Sequence, residues 1–76
     1  MIIKVTEINY HSEHRLANLC ATTKLLNIPM REAKELVKCS PCRITFNKPK
    51  ECDILHKKED LIRALERYEI NVQITI

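Results

Sequence analysis

The stretch Glu59-Asp60-Leu61-Ile62-Arg63-Ala64-Leu65-Glu66-Arg67-Tyr68-Glu69-Ile70-Asn71-Val72-Gln73-Ile74-Thr75-Ile76 decides the fold. Leu61, Leu65 and Tyr68 recur at i, i+4 and i+7, which is one apolar stripe of a helix. Glu59 and Asp60 stand where the positive end of the helix dipole favours acids, so a helix is predicted over residues 57 to 68. The period then changes. Ile70, Val72, Ile74 and Ile76 alternate with Asn71, Gln73 and Thr75, the pattern of a strand with one buried face. A half-buried strand needs a neighbour, and the other chain end supplies one. Ile2, Ile3, Val5 and Ile8 are β-branched and predict a first strand over residues 2 to 9, apolar in part on both faces, to which residues 70 to 76 are expected to pair.

Between these ends, Ser12 offers an N-cap oxygen and Glu13 a first-turn acid. Leu16, Leu19, Thr23 and Leu26 follow at helical spacing, predicting a helix over residues 13 to 26. Pro29 cannot lie inside a helix but can open one, and Met30, Ala33, Leu36 and Val37 form the apolar stripe of a second, ending before Pro41. Cys42, Ile44 and Phe46 alternate with Arg43 and Thr45 as a short strand. Asn47-Lys48-Pro49-Lys50 reads as a turn, and residues 51 to 55 as either a returning strand or an irregular loop. The order is strand, helix, helix, strand, helix, strand. The expected architecture is α+β: one domain over residues 1 to 76, with a three-stranded sheet covered by helices on one face.

Composition narrows the function classes. At 76 residues and 8.9 kDa the chain is too small for a two-domain enzyme. It contains no Gly, so phosphate-cradling loops and nucleophile elbows have no raw material, and neither enzymatic activity nor a cofactor is expected. No apolar run is long enough to span a membrane, and no secretion signal opens the sequence. The expected compartment is the cytoplasm, with the four cysteines reduced. The net charge of +3 is uneven: residues 24 to 58 carry nine Lys/Arg against four acids, while residues 59 to 76 are net acidic. Lys34, Lys38, Arg43, Lys48, Lys50, Lys57 and Lys58 make a mild basic stretch with only Phe46 as a nearby aromatic. We read it as a solvated face and not as a nucleic-acid interface.

The run Met30-Arg31-Glu32-Ala33-Lys34-Glu35-Leu36-Val37, with Pro41 beyond it, resembles the second helix of the C-terminal domain of the bacterial ribosomal stalk protein. Residues 15 to 42 can be laid on that family's first two helices without a gap, and residues 59 to 74 on its last helix and strand. The resemblance implies a docking surface for translational GTPases, made of the first helix and the start of the second. Carried over by position, Arg15, Leu16, Ala17, Leu19, Met30 and Glu32 match the family's basic, apolar or acidic residues. Cys20 and Thr23 replace basic residues there, and neighbouring Lys24 is placed to restore charge. Lys24, Asn27 and Pro29 stand where the family has glycines. The family's dimerisation segment and flexible hinge have no counterpart before the first strand. The expected role is that of a non-enzymatic module binding a translational GTPase, the ribosome or another cytoplasmic protein. The small adaptor that delivers substrates to the Clp protease is a more distant resemblance. Its substrate loop carries acids where this chain reads Asn9-Tyr10-His11-Ser12-Glu13-His14, but the long connection from Cys42 to His56 is closer to the adaptor.

Three constellations contain residue types suited to chemistry. Cys39, Cys42, Cys52 and His56 have the donor set of a closed tetrahedral zinc site. A hairpin around Asn47 to Lys50 would put Cys52 opposite Thr45, roughly 10 Å along the strands from Cys42. The expectation is therefore no metal, with the cysteines as small hydrophobes and His56 exposed. Cys39-Ser40-Pro41-Cys42 also has the spacing of a redox pair, but it follows a helix, where the dipole disfavours a thiolate. His11 and His14, around Ser12 and Glu13, read as a polar loop entering a helix.

Overall fold

The computed structural model describes residues 1–75; Ile76, assigned above to the last strand, lies outside the described residues. The elements are β1 (Ile2–Tyr10), α1 (Arg15–Leu25), α2 (Met30–Val37), β2 (Cys42–Asp53), α3 (Lys58–Arg67) and β3 (Ile70–Thr75). The expected α+β order is present. The sheet is antiparallel throughout with strand order β2-β1-β3, so the two chain ends pair as the alternation required: Tyr10 lies opposite Ile70 and Val5 opposite Ile74.

A bulge in the central strand explains why β1 reads as apolar on both faces. Ile3 and Val5 are buried at odd positions, Ile8 and Tyr10 at even ones. The register shifts between Val5 and Glu7 against both neighbours, and the extra residue moves the alternation by one. All four side chains therefore enter one core with Leu26, Ile28, Ala33, Val37, Ile54, Leu61, Leu65 and Ile70. Burying a side chain such as Leu61 or Leu65 contributes roughly 1.5–3 kcal/mol, so this one-sided core is the main source of stability.

β2 is neither of the two alternatives left open for residues 51 to 55, a returning strand or an irregular loop. Residues 42 to 53 form one continuous strand that stays beside β1, with Cys42 opposite Tyr10 and Cys52 opposite Ile3. The anticipated turn is an irregularity: four residues of β2, Phe46 to Pro49, stand opposite the single residue Thr6. Pro49 is tolerated because β2 is an edge strand, where a missing N–H need not break the ladder.

α1 overturns a second expectation. Its buried residues are Asn18, Ala21 and Thr22, not the stripe through Leu16 and Thr23, and Leu16 is 80% exposed. Ser12 is not the cap residue and Glu13 is not in the first turn, because the helix starts two residues later than predicted. Ser12 Oγ instead accepts the His14 N–H at 3.1 Å. Asn18 holds this entry in place: Nδ2 donates to the Ser12 carbonyl at 3.0 Å and to Ser40 Oγ at 3.2 Å. In α3, Leu61 and Leu65 are buried as predicted, whereas Tyr68 sits at the helix C-cap and is 38% exposed.

Candidate protein-docking site

The first turns of α1 and the end of α3 meet at the surface in an open groove of about 650 Å³, lined by Glu13, His14, Arg15, Leu16, Ala17, Cys20 and Tyr68. Its floor is apolar. Leu16, Ala17 and Cys20 are neighbours on one helix face by the i, i+3 and i+4 rule, and Tyr68 closes the groove from α3. Leu16 reaches this surface because Asn18, Ala21 and Thr22 take the inward face of the same helix. The rim carries both signs of charge, from Glu13 and Arg15.

Of the seven residues that sequence reasoning assigned to partner binding, Arg15, Leu16 and Ala17 come together here. The other four do not line the groove. Leu19 is half-buried and packs on the core, and Lys24 lies in the last turn of α1, about 12 Å along the axis from Leu16. Met30 is exposed at the start of α2, and the Glu32 carboxylate is paired with Lys50 Nζ from β2. Thr23 turns its hydroxyl back to the Leu19 and Cys20 carbonyls, at 3.0 and 3.1 Å. Sequence reasoning missed Glu13, His14 and Tyr68 as groove residues. Tyr68 completes the apolar stripe of α3, and periodicity alone places it in the core.

The four candidate zinc donors do not converge on one point. Because β2 does not turn back, Cys42 and Cys52 follow β1 from Tyr10 to Ile3, roughly 23 Å apart. Among the described residues no group of three or more His, Cys, Asp or Glu side chains is placed to hold a metal ion. Cys39 and Cys42 are instead joined by a disulfide with Cα atoms 5.8 Å apart, which corrects the expectation that all four thiols are free. Cys20 and Cys52 remain as thiols. Cys52 is buried, and burial pushes its thiol pKa up, opposed by the Lys50 charge and reinforced by Glu32.

The basic stretch divides as well. Lys4, Lys48, Pro49, Lys50 and Glu51 surround an open pocket of about 520 Å³ beside the β2 irregularity. Lys50 is neutralised by Glu32 and Lys4 lies opposite Glu51, so the pocket does not concentrate positive charge. His11 is tied to β3: its N–H donates to the Glu69 carbonyl at 3.0 Å, and Nε2 contacts Asn71 Oδ1 at 2.6 Å. No helix among the described residues is long and apolar enough to cross a membrane. No protein-family model, curated protein or solved structure matches the chain.

Proposed function

We propose that the chain is a non-enzymatic protein-interaction module, a relative of the ribosomal stalk C-terminal domain, that docks a translational GTPase through the groove between α1 and α3. The observation that carries this reading is Leu16, left 80% exposed at the groove floor beside Ala17, Cys20 and Tyr68. Moving such a leucine from water into a partner's pocket contributes roughly 1.5–3 kcal/mol, and a neighbouring tyrosine is a common interface anchor. Arg15 at the rim supplies a charge for orientation and on-rate. The sequence resemblance assigns Arg15, Leu16 and Ala17 to this same role.

Titration calorimetry with elongation factors tests the proposal, with Leu16→Asp and Arg15→Glu as weakening variants and Cys20→Lys plus Thr23→Arg as the variant that restores the family's charges. Weak binding by the parent, loss with the first two and gain with the last is the expected pattern. Absence of heat with every factor, for the parent and the restored variant alike, sinks the translational reading.

The second reading is a small adaptor or regulator unrelated to translation, acting through the same groove. It draws on β2, a 12-residue bulged strand in the region where the chain resembles the Clp adaptor more than the stalk domain. Binding to the Clp protease, with no binding to elongation factors, selects it.

A further inference from the structure

The two edges of the sheet are built differently. Along β2 stand Arg43, Lys48, Lys50, Glu51 and Asp53, together with Pro49 and the irregular stretch opposite Thr6. Charges, proline and bulges are the devices that keep an edge strand from pairing with another chain. β3 has none of them. Ile70-Asn71-Val72-Gln73-Ile74-Thr75 carries no charge and no proline, and the strand order leaves β1 as its one neighbour in the described sheet.

Two hydrogen bonds fix the direction of its main chain. The Glu69 carbonyl accepts the His11 N–H at 3.0 Å and the Gln73 carbonyl accepts the Thr6 hydroxyl at 3.2 Å, both from the β1 side. Backbone groups alternate along a strand, so Glu69, Asn71, Gln73 and Thr75 face β1. Ile70, Val72 and Ile74 therefore present their N–H and C=O groups to the open side. Their side chains point to the helix layer, where Ile70 is buried and Val72 and Ile74 are half-buried.

We propose that the open edge of β3 pairs with β3 of a second copy of this chain, antiparallel, with the two-fold axis at Val72. The occupant follows from the sequence of the strand. Antiparallel self-pairing about Val72 sets Ile70 against Ile74 and Asn71 against Gln73, so the strand is chemically symmetric about its own midpoint. Apolar side chains meet apolar ones on the helix side, and amides meet amides on the open face. Glu69 falls opposite Thr75, so no like charges meet. Val72 with its counterpart, and Ile70 with Ile74 twice, each exchange two main-chain hydrogen bonds, and the three-stranded sheet becomes six-stranded. Two short strands bury less than the roughly 1,200 Å² at which stable complexes begin, so the dimer is weak and reversible.

Sedimentation equilibrium from about 20 μM to about 1 mM, a range that spans weak association, tests this on the full chain. The parent is expected to show a reversible monomer–dimer equilibrium. Asn71→Lys with Gln73→Lys brings lysines together twice across the axis and should weaken association at least tenfold. Asn71→Lys with Gln73→Glu brings opposite charges together at the same places and should strengthen it. Far-UV circular dichroism verifies that each variant is folded, and Leu16→Asp should leave the equilibrium unchanged. A parent that stays monomeric at about 1 mM overturns the proposal, as does equal dimerisation of the two charge variants or loss of the dimer in Leu16→Asp, which would place the contact at the groove.

Discussion

The Tyr10 hydroxyl donates to Thr22 Oγ1 across 2.7 Å, deep between β1 and α1. The direction follows from the threonine, which has one hydrogen and gives it to the Asn18 carbonyl, also at 2.7 Å. Both side chains are buried, and the bond fixes the rotation of α1 that sends Leu16 outward. Its two halves are not equivalent. Thr22→Val strands a buried donor and should cost about 1–3 kcal/mol, whereas Tyr10→Phe leaves the threonine hydrogen satisfied and should cost about 0.5–1.5 kcal/mol. Urea unfolding of the two variants measures the difference, and a larger loss for Tyr10→Phe contradicts the assigned donor.

Burial raises the Tyr10 phenol above its ordinary pKa of 10.0, and a hydroxyl that donates to Thr22 keeps its proton all the more. The folded state therefore holds this proton more tightly than the unfolded state. Its contribution to stability is complete below pH 10 and is lost as pH rises through the folded-state value. Thermal midpoints from pH 8 to 11 should fall at the alkaline end, and less steeply in Tyr10→Phe. Identical slopes for the two proteins would remove Tyr10 as the cause.

The separation of Cys42 from Cys52 along β1 predicts that chelation is without effect. Ellipticity and thermal midpoint should be unchanged by excess EDTA, and elemental analysis of the purified chain should find well under one zinc per molecule. A one-to-one ratio with unfolding on chelation would require a different path for β2.

The two remaining thiols should differ in reactivity. Cys20 is half-buried at the groove and Cys52 is buried with its pKa raised. The thiolate is the reactive form, so maleimide should modify Cys20 in the native protein and Cys52 only on unfolding. Mass spectrometry of time points separates the two, and prior modification of Cys52 would count against its burial.

Leu16→Asp should be almost neutral for stability, within about 0.5 kcal/mol, because the side chain is already in water. Leu65→Ala, at a fully buried position of α3, should cost about 2–5 kcal/mol. Chemical denaturation of both establishes whether a binding defect in Leu16→Asp belongs to the surface.

The architecture was legible wherever hydrophobic period was unmixed. Leu61 and Leu65 followed by Ile70, Val72 and Ile74 announce α3 and β3, and Pro29 and Pro41 bracket α2. β1 and β2 were harder because the bulge at Thr6 breaks the period in both: one residue shifts the phase of β1, and its partner absorbs four residues that look like a turn. α1 misled for another reason. Asn18 Nδ2 is tied to Ser12 and Ser40, while Asn18 Oδ1 has no partner, and Thr22 is tied to Tyr10 and its own helix; buried polar residues of this kind leave no apolar signature. Three of the seven groove residues were visible in the run through Arg15, Leu16 and Ala17. Tyr68 depends on where α3 ends in space, which spacing along α3 does not encode.

Asn27 and Glu69 hold φ angles of 54° and 60°, the left-handed turns that glycine adopts without a Cβ clash. A chain free of glycine is stiffer when unfolded, so it surrenders less disorder on folding, an advantage for a domain with so small a core. These two sites carry the local cost of that economy. They are also where thermostability engineering has something left to gain: glycine relieves the backbone there while adding freedom to the unfolded chain at only two places. Asparagine tolerates the left-handed region better than glutamate, so the larger benefit belongs to position 69, directly ahead of the strand whose open edge is available for pairing.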